Sequence, residues 1–273
     1  MYKNIWEDSY RSVCSISFYT DSGIKFNSLT GFRVQNYIVT DEFIYQVKKC
    51  NEVVFQFVEN DGYTPSFSVR MTFGEFNERL NRIVEYENEG YALIDLDNLE
   101  IDTVPSLITE FSASSHIGQS IALLGFHGDQ ENMSLKSGMI SSFVKMETGK
   151  RYVQFDAAIK QGNSGSPLID LNTGRVIGVV GYRLSSFTRT YEAFKNIIDE
   201  NLRLLKKSEG KMNIMDIDPI QVLIANQNQL KQMSREFYRT SMMNFGLAHE
   251  IYTLKGYLES VEGVSKRKKP VQI

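Results

Sequence analysis

Short apolar runs alternate with polar turns over roughly the first two thirds of the chain. Between residues 9 and 186 the runs are rich in Val, Ile, Phe and Tyr, and Gly, Asn and Asp lie between them. Residues of the first kind favour β-strands and those of the second kind favour turns. The expected strands include SVCSISFYT, EVVFQFV, SFSVRMTF, YALIDLD, SIALLGF, LKSGMISSFV and RVIGVVGYR. Many short strands in series predict a β-sandwich or β-barrels.

The strand pattern divides into two similar units. The stretch LEIDTVPSLITEFSASS at 99–115 lies between them and is suited to a connector. We therefore expect a first β-unit at 9–107 and a second at 108–186.

Residues 187–265 have a different pattern, which predicts a C-terminal helical extension. Apolar residues recur there at helical spacing, and a helix is expected near 190–207. Asp218 and Pro219 then provide an N-cap and a first helical residue, so a second, longer helix is expected to start at this point.

This second helix contains an apolar seven-residue repeat. Nine of the twelve seam positions between residues 223 and 261 are apolar, which is compatible with a coiled coil over 219–261. Two amphipathic helices that fold back on the β-units, with a break near Gly246, explain the same residues, because glycine disfavours a helix interior. Both interpretations stay open.

Composition and charge narrow the class of protein. The 273-residue chain carries 30 basic and 33 acidic residues, which gives no field that would attract a nucleic acid or an anionic membrane. The first residues lack the pattern of a secretion signal, and no apolar run approaches the about 20 residues of a membrane helix. Cys14 and Cys50 form neither a disulfide framework nor a metal motif. We therefore expect a cytoplasmic protein with no metal, no cofactor, and no nucleic-acid or membrane partner.

The segment QGNSGSP at 161–167 has the composition of a loop that carries a nucleophilic serine. Activation of a serine hydroxyl requires a nearby base, a third group that orients the base, and backbone amides directed at the developing oxyanion. Glycine before the serine lets the backbone turn these amides inward. Ser164 is the candidate nucleophile, and the amides of Gly162 and Ser164 are the candidate oxyanion donors.

The residues around this loop resemble a known family. VQFDAAIKQGNSGSPLIDLNTGRVIGVVGYR at 153–183 is similar to the second barrel of trypsin-like serine peptidases, most closely those of the HtrA (Deg) branch. SLTGFRVQNYIVT and GYALIDLD resemble strands of the family's first barrel, and the similarity extends over 10–186. The resemblance implies a mostly β fold of two antiparallel β-barrels, at 9–107 and 108–186, followed by the α-helical extension.

The resemblance also implies that two of the three catalytic groups are replaced. The family's histidine base follows the first-barrel hairpin, where this chain reads TDEF and Phe43 takes the histidine position. The orienting aspartate starts the strand that here reads GYAL, so Gly90 takes its position. Glu42 and Glu89 are adjacent to these positions, but a shift of one residue directs a side chain elsewhere. Ser166 stands where the family usually has glycine.

The three histidines offer few substitutes for the base. His116 is expected in a turn, and His249 is expected on the surface of the helical extension. His127, in GFHGD, follows a strand on the oxyanion side of the family's cleft. It is therefore better placed to line a binding groove than to accept the proton of Ser164.

By the same resemblance, a specificity pocket lies beside the serine loop. Ala158 and Ile159 would form its near wall, and Val180, Gly181 and Tyr182 its far wall. The pocket has no charged residue at its base, so a small apolar side chain would fit. The strand of the far wall is expected to be an edge to which an extended peptide pairs through main-chain hydrogen bonds.

These observations predict a catalytically inactive homologue of the family that acts as a protein-binding or assembly subunit, for example in a bacterial stress or defence complex. The helix at 219–261 would mediate a homo-oligomer or a hetero-complex. One alternative is an active serine hydrolase that uses Ser164 with a non-standard base, either His127 or a residue supplied by a partner. The other is a purely structural oligomer.

Overall fold

The computed structural model describes residues 1–47, 49–81, 90–99, 101–112, 115–128, 131–145, 151–160, 162–181, 186–211, 218–241, 245–252, 254–256 and 258. The chain forms two compact units, one of residues 1–182 and 245–273 and the other of residues 183–244. The strands found in the described residues all belong to the first unit.

Seven strands of the first unit form one antiparallel sheet. They are β1 Val13–Tyr19, β2 Lys25–Val34, β3 Tyr37–Asp41, β4 Glu52–Val58, β5 Pro65–Thr72, β6 Leu80–Asn81 and β7 Tyr91–Asp95. Their order across the sheet is β5-β4-β1-β2-β3-β7-β6. The helix α1 (Tyr2–Ser9) precedes β1, a 3-10 helix at Glu42–Gln46 follows β3, and α2 (Phe73–Arg79) connects β5 to β6.

Six further strands close into a barrel. They are β8 Ser120–Phe126, β9 Met133–Lys145, β10 Arg151–Phe155, β11 Pro167–Asp170, β12 Val176–Gly181 and β13 Gly246–Glu250. Their order around the barrel is β10-β13-β12-β11-β8-β9. β13 is distant in sequence, yet it pairs with both neighbours, since Ala248 lies opposite Val153 on one side and Val180 on the other. The barrel is therefore closed by a strand that follows the second unit in the chain.

Buried apolar side chains connect the sheet to the barrel. One cluster lies within the sheet and another within the barrel, whereas a third contains residues of both, among them Phe32, Leu124 and Val179. Removal of each such side chain from water contributes about 1.5–3 kcal/mol to folding. This shared core fixes the sheet against the barrel near the serine loop, residues 162–166, which leads into β11.

The second unit is a pair of helices, α3 (Ser186–Lys206) and α4 (Pro219–Ser241). α4 starts at the expected residue, whereas α3 starts four residues before the expected 190. The predicted cap of α4 is confirmed, because the Ile220 amide donates to Asp218 Oδ1 at 2.8 Å. None of the helices in the described part of the chain has an apolar stretch long enough to cross a membrane.

The expected helical extension is wrong at its C-terminal end. α4 ends at Ser241, and β13 belongs to the barrel, so neither a helical region over 187–265 nor one helix over 219–261 is present. The second barrel accordingly contains residues beyond 108–186. Gly246 suits the strand because a Cβ atom there would overlap the ring of Phe155.

Part of the expected seam nevertheless exists on α4. Four of its apolar side chains are 44–68% exposed, and they are Leu223, Leu230, Met233 and Phe237. The opposite helix contacts α4 through polar and aromatic groups: Lys231 Nζ lies 2.5 Å from Asp199 Oδ1, and the rings of Tyr191 and Tyr238 stack 4.2 Å apart. The α4 seam is therefore left on the surface of this unit.

Candidate functional site

The backbone of the serine loop requires glycine at two positions. Gly162 and Gly165 have φ angles of 95° and 86°, in the left-handed region that side chains disfavour. A Cβ atom at Gly165 would also overlap the Thr30 carbonyl oxygen and Thr40 Oγ1, both on the neighbouring sheet. Backbone conformation therefore dictates both glycines, and close packing against the sheet also dictates Gly165, independently of any chemistry.

Hydrogen bonds hold this loop on both sides. The Thr30 amide donates to the Ser164 carbonyl oxygen at 2.8 Å, and Thr30 Oγ1 donates to the Gly162 carbonyl oxygen at 2.7 Å. On the barrel side, the Gly165 amide donates to the Val180 carbonyl oxygen at 2.7 Å. The loop is thus a fixed part of the interface between the sheet and the barrel.

Asn163 is the fully buried anchor inside the loop. Its Nδ2 donates to the Phe126 carbonyl oxygen at 2.9 Å, and its Oδ1 accepts from the Lys160 amide at 2.9 Å and from Lys136 Nζ at 2.6 Å. Lys136 Nζ also donates to the Ala158 carbonyl oxygen at 2.8 Å. The lysine of β9 therefore connects the serine loop to the segment that precedes it.

The Ser164 side chain is 6% exposed, and its Oγ has no hydrogen-bond partner among the described residues. In the same part of the chain, neither the Gly162 amide nor the Ser164 amide is found donating a hydrogen bond. The two candidate oxyanion donors and the candidate nucleophile thus have no described acceptor or base. Ser166 Oγ is likewise buried without a described partner.

Phe43 belongs to the core of the sheet. It lies in the 3-10 helix Glu42–Gln46, which Asp41 caps through a hydrogen bond from the Phe43 amide to Asp41 Oδ1 at 2.9 Å. Its ring is half-buried against the apolar cluster of the sheet. At the position that the sequence resemblance assigns to the base, the structure therefore holds an apolar ring. Glu42 stays on the same short helix, and Glu89 lies outside the described residues.

His249 occupies the space beside Gly90. A Cβ atom on Gly90 would overlap the His249 ring, and a Cβ atom on Gly181 would lie 2.9 Å from His249 Nε2 and 3.7 Å from Asp41 Oδ2. The imidazole is 3% exposed, and its centroid lies 4.7 Å from that of Tyr152. The absence of two side chains, at Gly90 and Gly181, thus creates the space for a buried histidine next to a buried carboxylate.

The prediction for His249 is accordingly wrong. The residue is on β13 and not on a helix surface, because the chain returns to the barrel after the helical unit. His116 lies exposed at a turn, as expected. His127 Nε2 lies 2.9 Å from Ser134 Oγ, and the adjacent Gly128 amide nitrogen lies 2.5 Å from the Cβ position of Gly162. His127 is therefore near the serine loop, on the side of the oxyanion donors.

The residues of the expected pocket differ in exposure. Ala158 is exposed, Ile159 is half-buried against the barrel core, and Val180 is buried within that core. Gly181 lies beside His249, and Tyr182 is outside the described residues. The expectation of an edge strand is wrong through Gly181, because β12 pairs with β11 on one side and with β13 on the other.

The arrangement of the sheet, the barrel and the serine loop is typical of one established family, and the sequence matches the same family. The pattern of the trypsin-like peptidase domain matches residues 30–179, which is more than half of the chain. The chain belongs to this family. The predicted trypsin-like fold is thereby confirmed, with a seven-stranded sheet in the place of the expected first barrel among the described residues. β13 and the helical unit lie outside the matched residues.

Two sequence relatives and one solved structure are similar to this trypsin-like domain. The mitochondrial serine protease HTRA2 of Bos taurus is 34% identical over 128 residues, which cover 43% of this chain and 26% of that protein. The uncharacterized protein y4bJ of Sinorhizobium fredii is 28% identical over 95 residues, 34% of this chain and 15% of that protein. The crystal structure of Deg5 superposes with a TM-score of 0.50 at 21% identity, over 66% of this chain and 83% of Deg5. The chain thus spans about a quarter or less of the two sequence relatives, and Deg5 supports the fold.

Three residues of this trypsin-like site have no role in the sequence-based predictions. Asp41 and His249 meet at Gly181, and Lys136 contacts the serine loop. In the sequence, Asp41 stands out only as a residue near Phe43, and Lys136 is one lysine of an expected strand. For His249 the apolar spacing of the following residues indicated a helix, and no local signal pointed to the barrel.

Proposed function

We propose that this trypsin-like domain has no working catalytic triad and that its serine loop binds a protein or peptide. The observation that carries the proposal is the isolation of Ser164, whose buried hydroxyl has no partner among the described residues. Phe43 at the base position and Gly90 at the orienting position support it, because neither side chain accepts a proton.

Energetics support the same view. Loss of one triad member lowers turnover by several orders of magnitude and leaves about 10³- to 10⁴-fold catalysis over water from the oxyanion donors and binding. Peptide hydrolysis at that residual rate is too slow for a processing enzyme. The serine loop would then serve to bind a protein or peptide.

Covalent labelling tests the proposal directly. The full chain is exposed to a fluorophosphonate, and intact-mass and peptide mass spectrometry locate any adduct. We expect no label on Ser164 under conditions that fully label trypsin, and no difference between the wild type and Ser164→Ala. A label on Ser164 that is absent from Ser164→Ala would overturn the proposal.

The buried histidine favours a second candidate function, an active hydrolase with a rebuilt base. His249 lies at Gly90, where the family carries its orienting group, and Asp41 borders the same space beside Gly181. A movement of the ring toward Ser164, or a residue from a partner, would supply the missing base. Labelling of Ser164 that disappears in His249→Gln would support this candidate, and labelling that persists would point to His127 or to the partner.

The helical unit is proposed to assemble two copies of the chain. The exposed side chains of the α4 seam recur at seven-residue spacing, and a second identical helix offers the matching apolar positions. We expect Leu230→Glu with Phe237→Glu to reduce a dimer to a monomer in light scattering. Asn228→Glu with Arg235→Gln changes the net charge by the same amount on another face of the helix and should leave the mass unchanged. Weak complexes form at concentrations on the order of 100 μM. A wild-type chain that is monomeric at this concentration would contradict this assembly.

Location in the cytoplasm and membership of a bacterial stress or defence complex stay predictions from the sequence.

A further inference from the structure

The ammonium group of Lys136 has no compensating carboxylate in the described part of the chain. Its two acceptors, Asn163 Oδ1 and the Ala158 carbonyl oxygen, are both uncharged. Lys160 is a second cation close enough to repel it. Burial, and then this repulsion, lower the pKa of Lys136 to about 8, so at neutral pH the group still carries most of its charge. A half-buried cation in such surroundings favours the approach of an anion.

Asn163 connects the charged Lys136 side chain to the serine loop through a hydrogen bond. The amide oxygen that accepts from Lys136 belongs to the residue between Gly162 and Ser164. Those two residues carry the backbone amides for which the described residues offer no acceptor, and Ser164 adds a buried hydroxyl without a described partner. One short segment therefore combines three hydrogen-bond donors with a neighbouring positive charge.

We propose that the serine loop is a carboxylate site, which binds the C-terminal carboxylate of an extended peptide through the Gly162 and Ser164 amides and Ser164 Oγ, with Lys136 as the counter-charge. This inference rests on the proposed function, because a working protease would bind its substrate at the same loop. A peptide carbonyl oxygen satisfies the donors but leaves the lysine uncompensated. A carboxylate satisfies both, and hydrogen bonds to a charged acceptor are about twice as strong as neutral ones.

The position of Phe43 favours a chain terminus over a continuing chain. In the triad mechanism the base also protonates the leaving group, so the base position adjoins the segment that follows the scissile bond. That position holds an apolar ring packed on the sheet core. A peptide that ends at the loop does not have to pass this ring, whereas one that continues does.

Lys136 acts here as a positioning and charge-compensating residue, so its effect should depend on charge more than on shape. Lys136→Met keeps the length of the side chain and removes the charge, and Lys136→Arg keeps the charge. Lys145 lies exposed on the same strand and has no hydrogen bond to the loop among the described contacts, so Lys145→Met is the matched control.

The test compares peptides that differ only in the terminal group. The immobilised full chain is exposed to one degenerate octapeptide library made once as free acids and once as amides, and retained peptides are quantified by mass spectrometry. We expect at least about 10-fold greater retention of the acids, which corresponds to about 1.4 kcal/mol. We expect that preference to disappear in Lys136→Met and Ser164→Ala and to persist in Lys136→Arg and Lys145→Met.

Four other results are informative. Amides that end in Glu retained as well as free acids would show that a side-chain carboxylate is the ligand and would overturn the terminal assignment. Inorganic phosphate is added as a competitor at about 10 mM, whereas specific peptide sites have dissociation constants on the order of 1 μM. Complete displacement of the retained peptides by this phosphate would indicate a general anion site and would also overturn the terminal assignment. Equal retention of acids and amides would overturn the inference and leave the proposed function standing. Retention of neither pool would contradict both peptide binding and the inference, while the fluorophosphonate experiment decides separately whether the triad works.

Discussion

The serine loop and the facing region, which contains Phe43, Gly90 and His249, contribute differently to the stability of the fold. At the loop, Gly162 and Gly165 are required by backbone conformation, and Gly165 is also required by contact with the sheet. At the facing region, Phe43 packs on the sheet core, and His249 fills the space left by Gly90. The loop thus serves packing as well as chemistry, whereas a histidine base and an orienting aspartate serve chemistry alone.

Under the proposed function, this difference explains how one half of a catalytic site persists while the other half changes. A substitution in the loop would disturb the interface between sheet and barrel, so selection for folding alone is enough to keep it. A substitution at the base position costs no stability if the new side chain packs, and an apolar ring does so. A serine-loop motif in a sequence therefore reports the fold, and activity has to be judged from the facing residues.

The largest effect is expected from a methyl group added at Gly90. The residue has a φ of 92°, and a Cβ atom would overlap the His249 ring. We expect Gly90→Ala to lower the free energy of unfolding by about 3 kcal/mol or more, the sum of backbone strain and overpacking. Urea denaturation measures this change.

A matched control separates the two causes. Gly118 has a φ of 85°, but nothing lies within 4 Å of its Cβ position, so Gly118→Ala reports backbone strain alone and should cost about 1–2 kcal/mol. In the background His249→Ala, the cost of Gly90→Ala should fall toward the same value. Equal losses in Gly90→Ala and Gly118→Ala would break the comparison, because His249 would then not occupy the space that the missing side chain leaves.

The same comparison shows which features of the fold are readable from the sequence. Strands in the first two thirds, the cap at Asp218 and the serine loop are predictable because each depends on residues close in the chain. β13 was assigned to a helix, since Leu247, Ile251, Leu254 and Leu258 fit helical spacing. Pairing with β10 and β12, across 64 or more intervening residues, decides its conformation instead.

The candidate site follows the same rule. Ser164, Gly162, Phe43 and Gly90 could be found because they belong to contiguous motifs. The placement of His249 depends on space created at Gly90 and Gly181, which are far from it in sequence, so no local pattern reveals it. Lys136 acquires its role only through a contact with Asn163 that the barrel creates.

The smaller expected effect concerns Ser164 itself and has an unusual sign. A buried hydroxyl without a partner costs free energy in the folded state, because its hydrogen bonds to water are lost and not replaced. We therefore expect Ser164→Ala to leave the free energy of unfolding unchanged or to raise it by up to about 1 kcal/mol. Ser134, whose Oγ lies 2.9 Å from His127 Nε2, provides the contrast, and Ser134→Ala should lose about 1 kcal/mol. If Ser164→Ala is instead destabilised by as much as Ser134→Ala, Ser164 has a base or another hydrogen-bond partner in solution. The serine loop would then be in contact with the facing region.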